Sequence, residues 1–108
     1  MDDFKKVLTL DTTKKSYEYA FALFYTGDGD RAVRLMQSNI VSANDPAVLI
    51  SHYYNIACLY SLMNKPDEAN TYLKKCIDGG YSKKYAQADP DLENIRKTQD
   101  FMAMMDTN

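Results

Sequence analysis

The sequence predicts an all-α domain built from helix-turn-helix pairs, and three observations support that prediction. Apolar residues recur at spacings of three and four, which is the periodicity of a helix with one buried face. The four glycines and three prolines stand between these periodic stretches, where helices would begin or end. No stretch alternates apolar and polar residues beside a hairpin turn signal, so no sheet is expected.

The N-terminal part is expected to form three helices. Residues 3–10 place Phe4, Val7 and Leu8 on one face of a short helix. A second helix should begin after residues 11–13, which are good N-cap residues, and run to about Tyr25 before Thr26-Gly27. A third helix is expected over residues 30–41.

Two proline-containing motifs define the start of the next two helices. Asp45-Pro46 combines an N-cap residue with proline at the first helical position, so a fourth helix should run from there to about Met63. Residues 64–67 form a turn, with Pro66 in the first turn of a fifth helix. That helix should end at Gly79-Gly80, whose first glycine suits a left-handed C-cap.

The C-terminal part is expected to add two helices. A short one follows Tyr81-Ser82, and Asp89-Pro90-Asp91 opens a last one, with acids at the positive end of its dipole. This last helix should fade near Met105, which leaves residues 106–108 loose.

The chain matches itself at an offset of 37 residues, from Tyr17–Ile40 to Tyr54–Ile77. Each copy reads as a helix, a tight turn and a second helix, which indicates a stacked helical repeat. The matched pairs are Ala20 with Ala57, Gly27 with Asn64, Asp30 with Asp67, Ala32 with Ala69, and Ile40 with Ile77.

The second copy resembles the tetratricopeptide repeat, or TPR. The first helix of that family is matched by Tyr53-x2-Ile56-Ala57-x2-Tyr60, and its second helix by Asp67-Glu68-Ala69-x3-Leu73-x2-Cys76. Small residues at these positions let paired helices approach, and large ones fill the gaps between them. The first copy is weaker, because Ser16 replaces the leading aromatic residue and Asn39 replaces a small one.

The resemblance covers about residues 14–101 and implies one TPR-like α-solenoid domain over residues 1–108, with about two repeats plus N- and C-terminal helices. The tail, from Gly80-Tyr81 through Asp89-Pro90-Asp91 to Phe101, is similar to the closing part of many bacterial arrays of this family. The expected parts are an N-terminal helix (1–11), repeat 1 (12–43), repeat 2 (44–80), capping helices (81–105) and a tail (106–108).

Composition excludes several classes of function. Thirteen basic against fifteen acidic residues give no reason to expect nucleic-acid binding. No apolar run approaches the roughly 20 residues that span a bilayer, and the N-terminus lacks the apolar segment of a signal peptide. Cys58 and Cys76 form no CxxC pair, so two reduced, buried thiols in a cytoplasmic protein are expected.

No catalytic or metal constellation is visible. His52 is the sole histidine, and Cys58, six residues later, lies on a different helical face. The Gly27-Asp28-Gly29-Asp30 run lacks the spacing of a phosphate loop or a calcium loop and is explained as the turn between two helices. We therefore expect no enzyme activity, no cofactor and no metal.

The resemblance implies a protein-binding scaffold whose first helices line a concave groove. Aromatic side chains with a polar tip are common recognition anchors there. A carboxylate clamp of the kind found in some family members is not expected, because Tyr17 and Phe21 stand where its lysine and first asparagine are needed. The expected groove residues are Tyr17, Phe21, Phe24, Tyr25, Tyr54, Asn55, Ser61 and Leu62, with Cys58 beside them.

Three alternatives stay open. The terminal helices, instead of a partner, could cover the groove rings. Two repeats are fewer than such a stack prefers, so the domain could serve as an assembly or dimerisation module, or be a fragment of a longer array. The Met-rich residues 101–105 fit either a buried stripe or an adaptable contact surface.

Overall fold

The computed structural model describes residues 17–41 and 44–106, without the side chains of Tyr17 and Val41. The N-terminal helix expected over residues 3–10 lies outside the described residues. Every regular element within them is helical, which confirms the all-α class. The elements are α1 (Tyr17–Tyr25), α2 (Gly29–Val41), α3 (Pro46–Leu62), α4 (Pro66–Asp78), α5 (Lys83–Ala88), a 3-10 helix (Pro90–Ile95) and α6 (Gln99–Asp106).

The helices pack as two hairpins and a C-terminal segment. Helix α1 packs on α2, and α3 packs on α4. The hairpins meet chiefly where α2 contacts α3, while the 3-10 helix packs on α3 and α6 packs on α4. The residues after α4 thus cover the second hairpin.

Helices α1 and α3 end in the same hydrogen-bonded motif. Gly27, just after α1, has φ of 101°, and Asn64, just after α3, has φ of 59°. Each donates its N–H to a carbonyl three residues back, and the next residue donates to a carbonyl five residues back, in the pattern of a Schellman motif. The two motifs lie 37 residues apart, at the offset of the repeat in the sequence.

Helix α4 ends in a third copy of this motif, with its left-handed residue at Gly80 and not at Gly79 as expected. Gly80 has φ of 101°, whereas Gly79 has φ of −84°. The Tyr81 N–H donates to the Cys76 carbonyl at 2.9 Å and so turns the Tyr81 ring back toward the hairpin. A Cβ added at Gly79 would lie 2.8 Å from Ile50 Cδ1, so close packing against α3 accounts for the first glycine.

The expected helix starts after Asp45 and Ser82 are confirmed. The Asp45 side chain accepts a hydrogen bond from the Ala47 N–H at 2.8 Å, and Pro46 takes the first helical position. The Ser82 side chain accepts from the Tyr85 N–H at 3.2 Å. Both side chains satisfy backbone donors that a helix N-terminus leaves unpaired.

The single last helix that the sequence predicts is two elements in the structure. Residues Pro90–Ile95 form a 3-10 helix, a turn follows, and α6 begins at Gln99. Thr98 causes the break, because its hydroxyl donates to the Ile95 carbonyl and accepts from the Phe101 N–H, which caps a new helix.

The core has two clusters that share a border. One lies within and between the hairpins and includes Met36 and Ile56. The other lies under the C-terminal segment and includes Leu73, Leu92 and Phe101. Phe21, Tyr60 and Tyr72 pack against both clusters. The small residues expected at helix contacts, Ala57, Ala69 and Cys76, are fully buried.

Both cysteines are free thiols, and their expected burial is confirmed. Within the described ranges, the helices are all too short or too polar to cross a membrane.

Candidate functional site

A cavity of about 330 Å³ opens beside the first half of α3. The helix periodicity brings one polar and one apolar side chain per turn to this face, and the turn after α4 supplies the opposite wall. The lining residues are Ala47, Ile50, Ser51, Tyr54, Asn55 and Tyr81.

Two stacked tyrosines form the aromatic wall of the cavity. The rings of Tyr54 and Tyr81 lie 4.2 Å apart between centroids at 19°. The Tyr54 hydroxyl donates a hydrogen bond to Asp89 Oδ2. Burial, and then this hydrogen bond, raise the pKa of Tyr54 well above its ordinary value, so the phenol stays protonated and keeps its donor.

Asp89 holds the C-terminal segment to α3. Its Oδ2 accepts from Tyr54, its Oδ1 accepts from the Asp91 N–H at 2.9 Å, and its backbone carbonyl accepts from Arg96 Nη2 at 2.7 Å. The sequence predicted that Asp89 opens a helix and missed its contact with Tyr54. The two residues are 35 positions apart, and a single sequence carries no signal that pairs them.

Cys58, Asp89 and Asp91 bring three ligand-type atoms within 4.8 Å of one another. Burial, and then the negative charge of Asp89, raise the pKa of the Cys58 thiol and of the Asp91 carboxyl. Both Asp89 oxygens already accept hydrogen bonds. The cluster forms a polar joint between α3 and the C-terminal segment.

The predicted groove residues do not form one open surface. Asn55 is half-buried and lines the cavity. Tyr25, at the end of α1, is 39% exposed and makes an edge-on contact with the half-buried Phe24 at 5.0 Å. Phe21 and Leu62 are half-buried. The side chain of Tyr17 lies outside the described residues.

Three of the predicted positions are buried in the structure. Ser61 is fully buried, and the Asn94 side chain donates to its backbone carbonyl at 2.9 Å. Tyr54 and Cys58 are buried against the segment that carries Asp89. Here the C-terminal segment packs over this face of α3.

His52 is half-buried on α3 and does not line the cavity. Helical geometry explains this, because the lining residues recur at spacings of three and four from Ala47, and His52 falls between them.

Comparison with known proteins gives one partial similarity. The chain is similar to a curated chloroplastic protein of Arabidopsis thaliana, with 33% identity over 76 residues. The match includes 69% of this chain and 23% of that protein, so the chain spans about a quarter of the length of this relative. No family model matches the chain, and no solved structure matches it.

Proposed function

We propose that this domain is a TPR-type α-solenoid unit that binds a protein or peptide segment and performs no catalysis. The repeat is supported by the Schellman motifs at Gly27 and Asn64, which occupy equivalent places after the first helix of each hairpin. Two hairpins joined through α2 and α3 provide the corresponding packing.

The cavity beside α3 is the observation that carries the binding proposal. Its Tyr54–Tyr81 wall is held by stacking and by the hydrogen bond to Asp89, so it needs little reorganisation before a partner enters. Ile50 and Ala47 add apolar surface, while Ser51 and Asn55 offer hydrogen bonds. This combination suits a peptide that inserts one apolar side chain and bonds its backbone to Asn55.

Filling the cavity tests the proposal. Ser51 is exposed and lines the cavity, so Ser51→Tyr should occlude it without disturbing the core. The matched control is Ser38→Tyr at an exposed position of α2. We expect the immobilised wild-type chain and the Ser38→Tyr control to retain the same protein from native-host extract, and Ser51→Tyr to lose it. Equal retention by all three chains would show that the cavity is not the binding site.

Self-assembly is a distinct outcome of the same experiment. If the Tm of the wild-type chain rises with protein concentration and that dependence disappears in Ser51→Tyr, the occupant is a second copy and the domain is a dimerisation module. A Tm independent of concentration supports a different protein as the partner.

For location, we propose a reducing compartment, because both buried cysteines are free thiols. The sequence favours the cytoplasm, whereas the name of the plant relative specifies the chloroplast. Imaging of the tagged full-length native protein in its host distinguishes these two compartments.

A further inference from the structure

A second cavity, of about 380 Å³, lies between α4 and α6 and shares no lining residue with the cavity beside α3. Its position separates it from the aromatic wall and from the proposed groove. Six of the residues that line it are Asp67, Asn70, Ile77, Asp78, Asp100 and Met104.

The walls of this cavity carry a net negative charge. Among the described residues, three carboxylates line it against one cation, Lys74, which already pairs with Asp78 at 2.9 Å. Among the described residues, Asp67 and Asp100 form no ion pair. These two carboxylates are therefore available to an incoming cation.

Asn70 adds a buried acceptor with a determined orientation. Its side chain is 95% buried, since only 5% of its surface is exposed, and its Nδ2 donates to Thr98 Oγ1 at 3.1 Å. The Thr98 hydroxyl proton is committed to the Ile95 carbonyl at 2.7 Å, so Thr98 can only accept from Asn70. The amide cannot be flipped, and Asn70 Oδ1 is left without a donor among the described residues.

The remaining wall is apolar. Ile77 and Met104 are half-buried and Ala103 is exposed, and Met102 next to them on α6 is 48% exposed. An amphipathic segment that carries a lysine or arginine matches both kinds of wall, because its cation can reach a carboxylate while its apolar side chains, further along, pack on the apolar surface.

We propose that the cavity between α4 and α6 binds a lysine- or arginine-bearing segment of a partner protein. The cation pairs with Asp67 and Asp100, and apolar side chains of the same segment pack on Ile77 and Met104. Asn70, whose Oδ1 has no donor among the described residues, lines the same cavity. This surface is additional to the cavity beside α3, and its occupancy does not depend on that site.

The test uses two synthetic peptides of about 14 residues with fluorescent labels, long enough to present several helical turns. One repeats Leu, Ala and Lys in amphipathic-helix order, and the other replaces every Lys by Glu. Fluorescence anisotropy with the full chain should show binding of the Lys peptide alone. NMR spectra of the ¹⁵N-labelled chain should place the largest shifts in α4 and α6, including the Asn70 side-chain amide.

Matched variants separate this site from general attraction to an acidic protein. The double variant Asp67→Asn/Asp100→Asn should weaken binding of the Lys peptide about fivefold, the loss expected for two partly exposed ion pairs. The control Asp28→Asn/Glu93→Gln removes the same charge at exposed positions that do not line the cavity and should leave the affinity unchanged. Equal weakening in both double variants would overturn the proposal.

A bulky side chain that fills the cavity between α4 and α6 provides an independent test. Ala103→Tyr should abolish binding of the Lys peptide while the Tm of the variant stays that of the wild type. Undiminished binding by this variant, or NMR shifts that map outside α4 and α6, contradicts the proposed site. A concentration-dependent dimer that Ala103→Tyr dissolves would also overturn it, because the occupant would then be a second copy.

Discussion

Tyr54 serves three purposes with one side chain, and its surroundings explain how. The ring stacks on Tyr81, the hydroxyl donates to Asp89, and one edge faces the cavity beside α3. Because Tyr54 is only 9% exposed, its hydroxyl has little access to water as an alternative hydrogen-bond partner if Asp89 is removed. A buried hydrogen bond to a charged acceptor is among the stronger ones in proteins.

We expect Tyr54→Phe to lower the free energy of unfolding by about 1.5 kcal/mol, because it removes one hydrogen bond to a carboxylate and keeps the ring. Urea denaturation followed by circular dichroism measures the change. Tyr85→Phe, at a side chain that is 73% exposed, is the control and should change stability by less than about 0.5 kcal/mol. Equal effects of the two substitutions would mean that the Asp89 contact contributes no stability.

Asp91 should make stability depend on pH in the acid range. Burial, and then Asp89, raise its folded-state pKa above the ordinary value of 3.8, so the folded state holds this proton more tightly than the unfolded state. The contribution of Asp91 to stability therefore falls as pH rises from about 3.8 through the raised pKa. We expect Asp91→Asn to raise the urea midpoint at neutral pH, and this gain to shrink as pH falls toward the ordinary pKa. A gain that is constant with pH would contradict the role assigned to burial.

The two thiols should be chemically quiet in the folded protein. Burial raises the pKa of Cys76 to about 12 and that of Cys58 further, so almost no thiolate is present at neutral pH. Since the thiolate is the nucleophile, iodoacetamide should alkylate both at least about a hundredfold more slowly in buffer than in concentrated guanidinium. Mass spectrometry of the labelled peptides gives both rates, and fast labelling of Cys58 in buffer would show that the C-terminal segment opens readily.

For the helices, the sequence predicted where most of them begin and end, but it did not predict that one expected helix is interrupted. Asp45-Pro46, Ser82 and Gly27 have local side-chain or backbone chemistry that sets a boundary, and each boundary lies where it was predicted. The break at Thr98 was missed, since a threonine within an apolar-periodic stretch is equally compatible with a continuous helix. Only its two hydrogen bonds, to Ile95 and Phe101, show that it begins a new one.

The left-handed residues after the helices should respond to substitution in opposite directions. Gly80→Ala should destabilise the protein by about 1 kcal/mol, because a Cβ disfavours φ of 101°, although no atom beyond the adjacent residues would lie within 4 Å of that Cβ. Asn64→Gly should leave stability unchanged or raise it by a few tenths of a kcal/mol, because glycine adopts φ of 59° freely. Thermal unfolding compares the two variants, and destabilisation by Asn64→Gly that matched Gly80→Ala would refute this explanation.

Across the whole molecule, the shared aromatic border should make unfolding one event. Phe21, Tyr60 and Tyr72 contact both core clusters, so loss of either cluster removes packing from the other. The Gln37 side chain also donates to the Tyr72 hydroxyl at 3.1 Å and links the two hairpins.

Leu92→Ala tests this cooperativity from the C-terminal segment. Leu92 is fully buried, and its truncation should cost about 2–5 kcal/mol and lower the Tm of the entire domain. Far-UV and near-UV circular dichroism should report the same midpoint, the latter through the tyrosines. Met102→Ala, at an exposed position of α6, should leave the midpoint nearly unchanged. Separate midpoints in Leu92→Ala would show that the C-terminal segment unfolds on its own.

The candidate site was only partly accessible from the sequence. Asn55 could be placed on the face of a first helix, because position within a repeat determines which side a residue occupies. The burial of Tyr54 and Ser61 could not be predicted, because it depends on where the 3-10 helix packs on α3. The contacts involved, Tyr54 with Asp89 and Ser61 with Asn94, join residues 35 and 33 positions apart. Long-range contacts of this kind leave no periodicity in a single sequence.

The hydrogen bond between Tyr54 and Asp89 also bears on the order in which the protein folds during synthesis. A ribosome makes Tyr54 well before Asp89, so α3 is complete while its covering segment is still unmade, and domains begin to fold from the N-terminal side during synthesis. Until that segment has emerged after α3, the face carrying Tyr54 and Cys58 lacks its C-terminal cover. The segment that carries Asp89 emerges after α3 and therefore seals a helix that the earlier part of the chain has already formed.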